Sequence, residues 1–99
     1  MRPGLDAKTL VVKVGSAVLA GEGGLDLEVM AHLAGQLSAL KQKGHRLALV
    51  SSGAVAAGMR RLGLPRPKDM PGKQALAAVG QPLLMEAWRE AFRPFGIEV

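Results

Sequence analysis

The sequence predicts an α/β fold built on a parallel sheet. Three observations carry that prediction: two short apolar runs, an amphipathic helical segment between them with minimal links, and a loop of small residues directly after each run. A strand–helix–strand unit joined this tightly runs its two strands in the same direction, with their carboxyl ends at one rim.

The first run is Thr9-Leu10-Val11-Val12-Lys13-Val14. It is β-branched and nearly continuous in apolar character, the pattern of a strand buried on both faces. It ends at Gly15-Ser16, and a glycine-rich loop follows through Gly21, Gly23 and Gly24. Leu27 to Lys43 is predicted helical, because Leu27, Met30, Leu33, Ala34, Leu37 and Leu40 recur at three- and four-residue steps and form one apolar face. Asp26 suits the N-cap, Glu28 the positive first turn, and Gly44 a left-handed stop.

The second strand is Arg46 to Val50, which runs through Ser51-Ser52-Gly53 into a helix over Ala54 to Leu62. Pro65, Pro67 and Pro71 predict an exposed loop from Gly63 to Gly72. Helical patterning resumes from Lys73 to Phe92, with Gly80-Gln81-Pro82 expected to break or kink it, since proline forfeits a helix hydrogen bond. Gly96-Ile97-Glu98-Val99 reads as the opening of a third strand, so residues 1–99 are expected to form one domain part, truncated at its C-terminus.

Composition narrows the function classes. The 99 residues contain no cysteine, which excludes disulfides and cysteine-ligated zinc. No apolar stretch approaches the roughly 20 residues of a membrane helix, and Met1 to Asp6 lacks the apolar centre of a signal peptide. A soluble, cytoplasmic protein is the expectation. The net charge of +5 is concentrated between Lys41 and Lys73, where Lys41, Lys43, Arg46, Arg60, Arg61, Arg66, Lys68 and Lys73 face a single acid, Asp69. That field favours anionic partners. Nucleic acid is disfavoured, because Trp88, Phe92 and Phe95 lie outside the basic stretch, away from where bases would need to stack.

Three places could carry chemistry, and each also has a plain structural reading. Lys13 is either an ammonium placed to neutralise phosphate charge or a strand lysine pointing to water. Gly15-Ser16 is either a close-approach phosphate loop or an ordinary turn. Ser51-Ser52-Gly53-Ala54 is either an anion site at a helix N-terminus or serine capping with tight helix–sheet packing. Neither a Walker loop nor a G-x-G-x-x-G motif is present, since Gly72-Lys73 is followed by Gln74 and lacks the upstream glycine. His32 and His45 have no ligand spacing, the methionines suit core and loop filling, and Trp88 suits packing of a helix onto the sheet. Taken together, the two loops fall at the same strand ends, where open α/β sheets bind ligands. One suits phosphates and the other a carboxylate.

These residues resemble the amino acid kinase family. Leu10-Val11-Val12-Lys13-Val14-Gly15-Ser16 is similar to the strand and loop that open its members, and Val50 to Gly58 is similar to their second loop. Lys73-Gln74-Ala75-Leu76-Ala77-Ala78-Val79-Gly80-Gln81 is similar to the branch that phosphorylates L-glutamate, rather than the acetylglutamate, carbamate, aspartate or uridylate kinases. The resemblance runs from about Leu10 to Val99 and implies a three-layer α/β/α sandwich with a mostly parallel sheet. It implies transfer of the γ-phosphate of ATP to the side-chain carboxylate of L-glutamate, with Mg2+, as the first step of proline biosynthesis. Lys13, Gly15 and Ser16 would contact the ATP phosphates, Lys13 with a catalytic role, and Ser52, Gly53 and Ala54 would hold glutamate. A homo-oligomer inhibited by proline is also implied. The residue after Ser16 is often a second hydroxyl in this family and here is Ala17. The acidic residues for substrate and Mg2+, a second phosphate lysine and the adenine pocket would lie beyond Val99, so the 99 residues alone are expected to lack activity. A related kinase for another acidic acceptor such as N-acetylglutamate, and a stand-alone anion- or nucleic-acid-binding module, are the alternatives.

Overall fold

The computed structural model describes residues 8–21 and 24–99. Met1 to Asp6, read above for a signal peptide, and Gly23 of the glycine-rich loop lie outside the described residues. The order of elements is β1 (Thr9–Val14), α1 (Ser16–Leu19), β2 (Ala20–Gly21), β3 (Gly24–Leu25), α2 (Leu27–Gln42), β4 (Arg46–Ser51), α3 (Ala54–Leu62) and α4 (Met70–Phe92), followed by a 3-10 turn over Arg93–Phe95.

β1 and β4 pair in parallel, with Thr9 opposite Arg46, Lys13 opposite Val50 and Val14 opposite Ser51. The expected α/β class with a parallel sheet is therefore what the chain adopts. Short β2 and β3 form a separate antiparallel pair, Ala20 with Leu25 and Gly21 with Gly24.

Strand residues alternate between two faces, and that alternation decides where the core lies. Val12, Val14, Leu47 and Leu49 turn inward to a core of Leu19, Met30, Ala34, Leu37, Leu84, Trp88, Ala91 and Phe92. Val11 and Val50, on the other face, are 62% and 51% exposed. The prediction of a strand covered on both faces is thus corrected for these residues: α2 and α4 both pack on the Val12/Val14 side. The continuous apolar run disguised this, because a valine on an open face looks the same in sequence as one in a core.

α2 begins where expected. Asp26 Oδ1 accepts from the Val29 N–H at 3.2 Å, and Gly44 follows the helix at φ +95°. Trp88 is 1% exposed and pairs with Phe92 at a ring-centroid distance of 5.9 Å. Such a tilted pair adds about 0.5–1.5 kcal/mol beyond its buried area. Glu86, Arg89, Glu90 and Arg93 form exposed ion pairs along the opposite side of α4, each worth at most about 1 kcal/mol.

Three boundaries differ from expectation. α4 starts at Met70 rather than Lys73, because Asp69 caps it through Gly72 N–H at 3.1 Å and Pro71 sits in the first turn, where no donor is needed. α4 also runs through Pro82 without a break. The lost hydrogen bond is outweighed by burial of Leu76, Leu84, Trp88, Ala91 and Phe92 along its length. Residues 96–99 form no strand: Gly96 closes the 3-10 turn at φ +68°, and Ile97 packs against the core without joining the β1–β4 ladder.

Candidate functional site

β1 and β4 end together, and one hydrogen bond ties their ends. The Ser52 N–H donates to the Val14 carbonyl at 2.9 Å. The loops after both strands consequently leave from one rim. Ser16, Ser51, Ser52, Gly53, Ala54, Val55, Ala56 and Arg66 line a common cleft there, of about 300 Å³.

Gly53 has no side-chain alternative at this rim. Its φ is +117°, and an added Cβ would lie 2.9 Å from Leu25 Cδ2 and 3.3 Å from Leu84 Cδ1. A glycine here turns the chain sharply from β4 into α3 over the buried core. It is also the N-cap of α3, and no side chain caps that helix. Ser52 does not perform the capping that sequence alone allowed. Because the Gly53 carbonyl takes the Ala57 N–H at 3.0 Å, the peptide N–H groups of the preceding turn point out of the helix unpaired within it, as at any helix start. The cleft is therefore lined by donors and by the positive end of a helix dipole, with small residues at Ala54 and Ala56.

α3 is held in place by two backbone-on-backbone contacts with α4. A Cβ at Gly58 would collide with the Leu76 carbonyl, and one at Gly80 with the Ala54 carbonyl and the Gly58 nitrogen. Gly80, read from sequence as part of a helix break, is in fact what lets α4 approach the first residue of α3.

Ser16, Ser52, Gly53 and Ala54 thus meet in one cleft, while Lys13 and Gly15 are not among its walls. Lys13 is exposed on the outer sheet face with Val11 and Val50, one residue before the rim. Gly15 is exposed with an ordinary extended φ of −78°, and a Cβ there would touch nothing within 4 Å. Its value is open space above the backbone, not a special dihedral angle. Arg66 was counted only within the basic stretch; the Pro65-Arg66-Pro67 sequence, which fixes the backbone on both sides of the arginine, was the available signal. Among the described residues Arg66 has no ion-pair partner. A larger cleft of about 510 Å³ lies between Arg89, Arg93 and residues 96–99, but no strand-end loop enters it.

Among the described residues no three His, Asp or Glu side chains come together, so they offer no cage for a metal ion. No described helix is long and apolar enough to cross a membrane.

The chain thus presents a parallel sheet whose two strand-end loops border one small cleft, and sequence comparison supplies the family. The profile of the amino acid kinase family matches residues 8–99, and the chain belongs to that family. Among individual relatives, the chain is 73% identical over 100 aligned positions to the glutamate 5-kinase of Thermus thermophilus, an alignment that covers 100% of this chain and 27% of that protein. It is 54% identical over 93 positions to the glutamate 5-kinase of Meiothermus ruber and 52% identical over 90 to that of Syntrophotalea carbinolica. These cover 93% and 90% of this chain and 24% of each relative. The chain spans about a quarter of the length of the curated relatives it matches.

Proposed function

We propose that this chain forms the acceptor-facing and phosphate-facing part of a glutamate 5-kinase, which transfers the γ-phosphate of ATP to the side-chain carboxylate of L-glutamate. The observation that carries the reading is the shared rim: Ser16 from the β1 loop and Ser52, Gly53 and Ala54 from the β4 loop line one cleft. The names of the relatives supply the acceptor.

The chemistry asks little of the site beyond placement and charge. A γ-carboxylate is ionised at neutral pH, with an ordinary pKa of about 4.3, so it attacks without a general base. One carboxylate oxygen forms a bond to the γ-phosphorus as the bond from that phosphorus to the ADP oxygen breaks, giving an acyl phosphate and ADP. Positioning and electrostatic stabilisation carry such a transfer. Ser52 and the backbone of Gly53 and Ala54 hold glutamate, with the positive end of α3 favouring an anion. Gly15 and Ser16 border the phosphate path, and Lys13, on the outer face one residue before the rim, is the cation assigned to the transferring group. Mg2+ would supply charge neutralisation to ATP in this chemistry, and the described residues hold no cluster of three potential ligands for it.

On this reading the reaction opens proline biosynthesis, proline acts as a feedback inhibitor, the enzyme is a cytoplasmic homo-oligomer, and the 99 residues alone are inactive. The test is ATP-dependent formation of hydroxamate from a panel of acidic acceptors in hydroxylamine, using a full-length glutamate 5-kinase that contains this sequence. L-glutamate is the expected substrate. Preference for N-acetylglutamate, or no acyl phosphate with any acceptor, overturns the proposal.

A further inference from the structure

Ser52 is held by a chain of hydrogen bonds that begins in the core. The indole Nε1–H of Trp88 donates to Ser51 Oγ at 2.9 Å, and Ser51 Oγ donates to the Ser52 carbonyl at 2.8 Å. On its other side the Ser52 N–H donates to the Val14 carbonyl at 2.9 Å. Both backbone polar groups of Ser52 are thereby committed, and its side chain is left in the cleft with Ser16 and Gly53.

We infer that Trp88 and Ser51 are positioning residues for the acceptor site, fixing the Ser52 peptide so that its hydroxyl meets the acceptor's carboxylate. The inference rests on the reading of Ser52 as an acceptor-binding residue. Trp88 suits the role because it is 1% exposed and packed against Phe92, so its N–H is a donor with almost no freedom of direction. An indole has one donor and no acceptor, whereas a serine hydroxyl both accepts and donates. Ser51 can therefore pass the constraint from the core to the rim only by accepting from Trp88 and donating onward. Bonds in such a series polarise one another. A merely structural tryptophan would be satisfied by any nearby carbonyl; this one spends its donor on the residue next to Ser52.

The test uses S51A, S51T, W88F and S52A in a full-length glutamate 5-kinase that contains this sequence, with steady-state kinetics in each substrate. The expected result for S51A and W88F is a rise in KM for L-glutamate of about tenfold, the size of one lost hydrogen bond, with KM for ATP little changed. S51T retains the hydroxyl and should restore the parent KM. The double variant S51A/W88F should be no worse than S51A, because both cut the same series. The emission attributable to Trp88, taken as parent minus W88F, should shift on addition of L-glutamate in the parent and not in S51A. If S52A raises KM for glutamate while S51A and W88F leave it unchanged, the positioning role is wrong and the site reading stands. If S52A itself leaves KM unchanged, the site reading has failed. Should S51A or W88F not fold, total tryptophan emission of the parent that stays unchanged on addition of L-glutamate still overturns the positioning role.

Discussion

The carbonyl of Ala54 lies against the Cα of Gly80, so close that a methyl group at position 80 would have to occupy the space of that oxygen. The first residue of α3, at the wall of the cleft, is therefore seated directly on the backbone of α4.

Gly80→Ala decides between two opposing effects. Alanine favours an exposed helix interior by about 1 kcal/mol over glycine. Overpacking costs about 1–3 kcal/mol, and a rigid backbone partner leaves no side chain to move aside. Against backbone the upper end of that cost applies, so net destabilisation of up to about 2 kcal/mol is expected for G80A, and similarly for G58A against the Leu76 carbonyl. A urea midpoint equal to the parent's would show that the two helices can separate freely.

Gly15 and Gly53 should respond oppositely to alanine. Gly15→Ala meets nothing within 4 Å at an ordinary φ, so it should leave the fold intact or stabilise it by about 0.4–1 kcal/mol through the unfolded chain. It should nevertheless raise KM for ATP, since the methyl group would enter the proposed phosphate path. Gly53→Ala should destabilise by more than 1 kcal/mol, because its left-handed φ and contact with Leu25 both oppose a side chain. Paired thermal melts and ATP titrations would expose an error in either assignment.

Lys13→Met tests the proposed catalytic charge. Lys13 is exposed and has no ion-pair partner among the described residues, so stability should stay within about 0.5 kcal/mol. Loss of a donor to developing charge should lower kcat by about 10²–10³-fold in a full-length glutamate 5-kinase that contains this sequence. Retention of kcat within a few-fold would remove Lys13 from the chemistry.

The two faces of β1 should be separable in the 99-residue chain. Val11→Thr, on the open face, is expected to cost less than about 0.5 kcal/mol. Val12→Thr, against the core, should cost about 1–3 kcal/mol, because its hydroxyl enters apolar surroundings. Equal chemical-denaturation midpoints for the two variants would contradict the packing described for this sheet.

Much of the fold was legible in the residues. The β-branched run at Thr9–Val14 and the capped, periodic segment from Leu27 speak through local physics, and they fall where expected. The cleft was half legible. Ser52 and Gly53 announce a strand end opening a helix, but the indole bond to Ser51 joins residues 37 positions apart, and no local pattern encodes such a distance. Pro82 and Gly80 misled for the same reason. Their intrinsic preference opposes a helix, and only contact with α3 and the core shows why the helix persists. The open sheet face was invisible because valine does not report which side of a sheet is covered.

The hydrogen bond from Ser52 to Val14 has a mechanical consequence. It adds a link just beyond the last pair of the ladder, so the two strand tips form one edge. On the proposed function, the stroke that brings phosphoryl donor and acceptor together is then delivered by a body moving toward this edge, which serves as the anvil rather than the hammer.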